Sequence, residues 1–102
     1  MSVIVINKDN FENEVLKSEK TVLLDFYANW CGPCRMLSPT VEKIASENPD
    51  IKVGKINVDE EEELAAAFGV MSIPALFVLK DGKVVNQSLG AIPEAQILDM
   101  LG

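Results

Sequence analysis

"TVLLDFYANWCGPCRMLSP", residues Thr21–Pro39, passes from an apolar run into a helical pattern, and both cysteines of the chain stand at the junction. Thr21–Ala28 is almost continuously apolar and rich in strand formers, as expected of a strand covered on both faces in an α/β sheet. Asp25 sits in the middle of it, an odd place for a carboxylate. From about Cys34 to Asn48 the spacing is helical, with Met36, Leu37, Val41, Ile44 and Ala45 on one face. Pro39 falls inside this helix and is expected to kink it. The C-x-x-C pair, Cys31 and Cys34, therefore lies where a strand ends and a helix begins, beside Trp30, the only tryptophan.

The rest of the chain supplies the frame. Val3–Ile6 reads as a short buried strand, and Asn7 as the cap of a helix that carries Phe11, Val15 and Leu16 and ends near Ser18. Ile51–Val58 alternates with period two and reads as a strand. Asp59–Phe68 reads as a helix whose acids crowd the first turn, where the helix dipole favours them, with Gly69 as its stop. "ALFVLK" and "KVVNQSL" are strands joined by Asp81-Gly82, a hairpin signal. Pro93–Leu101 is a last amphipathic helix, with Pro93 suited to its first turn. The order β-α-β-α-β-α-β-β-α predicts an α/β fold: a mainly parallel five-stranded sheet, made mixed by the terminal hairpin and flanked by four helices. With 102 residues, the expectation is one domain, 1–102.

Apolar residues make up 48% of the chain, enough for a core that does not depend on disulfides. Sixteen acids against nine bases give a formal charge of −7. That balance argues against nucleic acid or an anionic membrane as partner and fits a soluble monomer. The start of the chain has no cationic lead and only the short apolar run VIVI, unlike a signal peptide. No stretch approaches the ~18 apolar residues of a membrane span. The expected compartment is the cytoplasm, where a permanent disulfide is unusual.

A C-x-x-C pair can be half a metal site, a staple or a redox couple. Histidine is absent, so two cysteines fall short of the usual four zinc ligands unless carboxylates or a second chain fill in, and no second C-x-x-C completes a zinc ribbon. A four-residue disulfide loop would constrain the unfolded chain little. A redox dithiol remains, and no imidazole can manage its protons. A helix N-terminus offers unpaired N–H groups and partial positive charge, which stabilise a thiolate. Cys31 is thus expected to be the exposed, acidic nucleophile, and Cys34, one turn into the helix, the more buried resolving thiol. Gly32 and Pro33 let the chain turn tightly and hold the sulfurs within bonding reach.

In this setting "WCGPC", Trp30–Cys34, resembles the active site of the thioredoxin family. The resemblance covers the whole chain: "VGKINVD" is similar to the family's third strand, "GVMSIPALFVLKDG" to its cis-proline segment and "SLGA" to its late glycine turn. It implies the thioredoxin fold and a protein-disulfide reductase cycling between a dithiol and a Cys31–Cys34 disulfide. It implies no bound cofactor, disulfide-containing proteins as substrates, and a separate thioredoxin reductase. It implies a cis Ile73–Pro74 bond, leaving the backbone of Ile73 free to pair with an incoming peptide. An apolar docking surface of Trp30, Gly32, Pro33, Val58, Ile73, Pro74, Gly90 and Ala91 follows, with Val58 equally readable as core. Asp25 and Lys55 match the family's buried carboxylate and its lysine neighbour. Burial should raise the pKa of Asp25 and let it act as proton acceptor and donor, tuned by Lys55. Tyr27, Arg35 and Ala75 depart from common family residues, which bears on partner choice. Two alternatives stay open: an oxidant or isomerase of the same fold, and a thioredoxin-fold binding subunit whose cysteines are dispensable.

Overall fold

The computed structural model describes residues 3–102. Strands β1 (Val3–Val5), β2 (Thr21–Tyr27), β3 (Ile51–Asn57), β4 (Ala75–Lys80) and β5 (Lys83–Leu89) form one sheet ordered β1-β3-β2-β4-β5. Around it lie a π-helical turn (Glu12–Leu16) and the helices α1 (Gly32–Glu47), α2 (Glu62–Ala67) and α3 (Glu94–Leu101). β2 is the central strand, and Val22–Phe26 are all buried, which is why its sequence does not alternate.

The sheet is less parallel than its element order suggests. β1 and β2 both run parallel to β3, but β4 is antiparallel to β2 as well as to β5. The connection that leads to β4 carries only a short helix, α2. Six residues of helix span about 9 Å, whereas seven-residue β3 spans about 23 Å. The helix alone does not carry the chain back along β3, and β4 starts from the end where β3 finished. That end gathers the carboxyl ends of β2 and β3 and the start of β4.

Two further boundaries moved, for local reasons. The first helix is only the π-helical turn; Asn7 caps the turn before it, its Oδ1 accepting from the N–H groups of Asp9 and Asn10 at 2.8 and 2.9 Å. α2 begins at Glu62, not Asp59, because the Asn57 side chain accepts the N–H groups of Asp59 and Glu60 and holds a turn there. α1 runs through Pro39 without a break.

Each face of the sheet carries its own core. Val22, Leu24, Phe26, Ile56 and Phe77 pack on one side with Phe11 and Phe68, where Phe26, Phe68 and Phe77 meet ring to ring at 5.1–5.4 Å. Leu23, Val53, Leu76 and Val78 pack on the other against Leu37, Val41 and Ile44 of α1 and Ile97 of α3. Gly54 permits close packing on β3: a Cβ there would lie 2.6 Å from Ile6 Cγ1.

Candidate active site

Beyond Tyr27 the chain turns once, with the Cys31 N–H donating to the Ala28 carbonyl at 3.2 Å. Cys31 then becomes the N-cap of α1, in extended backbone, and its Sγ accepts the N–H of Cys34 at 3.2 Å. Pro33, in the first turn, lacks the N–H that would have had no partner. Cys31 and Cys34 are joined in a disulfide, their Cα atoms 5.3 Å apart. The expected contrast in exposure is absent: Cys31 is 4% and Cys34 3% exposed. With the sulfurs bonded, both pack against Ala28, Tyr27, Val58 and Ile73. What separates the two is the cap, since only Cys31 holds its sulfur where the helix N-terminus donates.

Ile73 faces this pair, its carbonyl oxygen 4.0 Å from Cys31 Sγ. The Ile73–Pro74 bond is cis. Pro74, expected on the docking surface, is instead buried; its carbonyl accepts the Gly90 N–H at 2.8 Å, drawing the loop against the end of β5. Gly90 has φ +88°, a left-handed backbone that glycine adopts without strain. Ala91, Pro33 and Trp30 are exposed, while Gly32, Ile73 and Gly90 are half-buried. Val58 is half-buried too and packs against both the cysteine pair and the sheet core.

Beneath the pair, Asp25 and Lys55 are register partners on β2 and β3. Both line a cavity of about 140 Å³ with Tyr27, Cys34, Arg35 and Ser38. Asp25 is 5% exposed, and its Oδ1 has no hydrogen-bond partner among the described residues. Burial pushes its carboxyl up to about 7, against the opposing attraction of Lys55. The Lys55 Nζ lies 5.6 Å from the centroid of the Tyr27 ring, and Arg35 Nη1 donates to the Asn29 carbonyl at 2.8 Å.

The thioredoxin family model matches residues 2–102. The chain belongs to the thioredoxin family. It is 48% identical over 93 residues to a thioredoxin of Streptomyces clavuligerus, covering 91% of this chain and 87% of that one. It is 45% identical over 103 residues to thioredoxin 1 of Synechococcus elongatus, covering 99% and 96%. A chloroplastic M-type thioredoxin of Chlamydomonas reinhardtii shares 46% over 94 residues, 91% of this chain and 67% of its own. Thioredoxins are thiol–disulfide oxidoreductases that act on protein disulfides and are recycled by a thioredoxin reductase, and they are the standard instance of a C-x-x-C thiol acidified at a helix N-terminus. No helix among the described residues is long and apolar enough to cross a membrane.

Two residues next to this site, Asp59 and Asn57, are not singled out by the sequence. Trp30 Nε1 donates to Asp59 Oδ2 at 2.8 Å, and buried Asn57 holds the turn that carries Asp59. The signal was an Asn-x-Asp at a strand end, a turn-forming pattern that was absorbed into an acidic helix start.

Proposed function

We propose that the chain reduces protein disulfides with the two sulfurs in unequal roles. The observation that carries this reading is the Cys34 N–H donating to Cys31 Sγ at the head of α1, which favours a thiolate on Cys31. That thiolate attacks one sulfur of a substrate disulfide; a new Cys31–substrate bond forms and the other substrate sulfur leaves, taking a proton. Asp25, ionised and lining the same cavity as Cys34, then accepts the Cys34 proton. The Cys34 thiolate attacks Cys31 Sγ, the mixed disulfide breaks, and the second substrate sulfur departs as a thiolate that is protonated at the expense of the Asp25 proton, directly or through solvent. The substrate has gained two electrons and two protons, and the Cys31–Cys34 disulfide waits for a reductase. Lys55 tunes Asp25 through charge. Gly32 and Pro33 fix the turn, and Trp30, Val58, Ile73, Pro74, Gly90 and Ala91 form and support the docking surface.

The protein works as a single-domain monomer without nucleic acid or membrane partners, a reading supported by its net charge of −7. A dithiol that must be returned to the reduced state suits the cytoplasm. No observation favours the oxidant or the redox-independent alternative. Reduction of insulin disulfides with a recycling reductant tests the reading. The parent is expected to turn over, and the Cys31→Ser, Cys34→Ser double variant to be inert; an active double variant would overturn it.

A further inference from the structure

Tyr27 and Asn57 are register partners at the ends of β2 and β3, with the Val58 N–H donating to the Tyr27 carbonyl at 2.9 Å. The two strands then diverge, one into the loop that carries Trp30, the other into the loop that carries Asp59. Asn57 is 7% exposed, a costly position for an amide unless it is bonded. Its Oδ1 accepts the N–H of Asp59 at 2.9 Å and of Glu60 at 3.3 Å, and its carbonyl accepts those of Glu60 and Glu61 at 3.2 and 2.9 Å. Asp59 Oδ2 in turn accepts the Trp30 indole N–H at 2.8 Å. The path from Tyr27 through Asn57, Asp59 and Trp30 back to Tyr27 closes a ring of bonded contacts. Trp30 is 68% exposed and its indole has no other hydrogen bond among the described residues, so this ring sets where the indole lies.

We propose that Asn57 is a positioning residue for substrate docking, acting through Asp59 to fix the indole of Trp30, the residue that precedes Cys31. The proposal rests on the disulfide-reductase reading, in which Trp30 meets the substrate. It gives the buried amide a task beyond closing a turn, because the same turn could close without aiming a carboxylate at an indole.

Trp30 is the only tryptophan, so its fluorescence anisotropy decay reports the indole directly and needs no substrate. Asn57→Ala and Asp59→Ala should both free the indole, adding fast depolarisation. Both should raise KM for a protein disulfide about fivefold, the weight of one hydrogen bond, with kcat changed less than twofold. Asn57→Asp keeps the acceptor and should restore both readouts, which a general loss of stability would not do. Unchanged anisotropy in Asn57→Ala, with Asp59→Ala altered, would overturn the role of Asn57. Failure of Asn57→Asp to restore either readout would do the same. A parent inert toward protein disulfides would instead defeat the reductase reading and leave the anisotropy arm to decide the positioning.

Discussion

Replacing Asp25 by asparagine keeps the shape of the side chain and removes its charge. The carboxyl ionises at the ordinary 3.8 in the unfolded chain and at about 7 in the fold, where burial outweighs the attraction of Lys55. Its folded pKa is raised, so its contribution to stability is intact below about pH 4 and is lost as pH rises toward 7. The gap between the two values, at about 1.4 kcal/mol per pH unit, makes the ionised carboxylate cost the fold about 4 kcal/mol. Asparagine does not ionise, and because Asp25 Oδ1 lacks a partner among the described residues its amide inherits much the same site as the protonated acid. The gain in stability of Asp25→Asn should therefore be under about 1 kcal/mol at pH 4, about 3 at pH 6 and about 4 at pH 8. Urea unfolding of the oxidised protein at these three pH values, at constant ionic strength and with m-values compared, measures it. A gain of equal size at every pH, or a less stable variant at pH 8, would refute the assignment of an ionising carboxylate to this cavity.

Other outcomes follow from the same geometry. Asp25→Asn should slow resolution of the mixed disulfide near neutral pH more than it slows the first attack, and stopped-flow kinetics on both steps from pH 6 to 9 checks this; equal slowing would make Asp25 structural. Cys34→Ser should accumulate mixed disulfides on Cys31 and Cys31→Ser none, as read by mass spectrometry of trapped adducts. Lys55→Met removes the attraction that lowers the Asp25 pKa, so the loss of stability should extend to higher pH; a window moved to lower pH would contradict it. Gly54→Ala forces a Cβ against Ile6 Cγ1 and should cost about 1–3 kcal/mol in urea unfolding, with no change in thiol reactivity.

Most of the scaffold was legible because each element carries its own periodicity and punctuation. The unbroken apolar run of β2 announced a central strand, and Asp81-Gly82 announced the hairpin. The direction of β4 was not legible, since the seventeen residues between β3 and β4 are long enough for either direction and the choice is made by tertiary pairing with β2. Cys31 and Cys34 were legible from spacing and from the missing histidine. The depth of Cys31 was not, because the loops that cover it are distant in sequence. Asn57 and Asp59 escaped for a similar reason: an acidic stretch at a helix start has a sufficient local explanation, and nothing local says that one of its carboxylates reaches the indole 29 residues away.

The place of Asp25 within β2 governs how its proton travels. β2 is hydrogen-bonded to a strand on each side and covered on both faces, so its amides should be among the last to exchange with deuterium, opening only when the whole domain unfolds. A proton exchanged at Asp25 in the proposed cycle would not need such openings, because the carboxyl already lines a cavity with Asn29, Arg35 and Ser38. Under the proposed role of Asp25, proton transfer would be uncoupled from the breathing of the backbone, and the strand that holds the carboxyl could be rigid without slowing it.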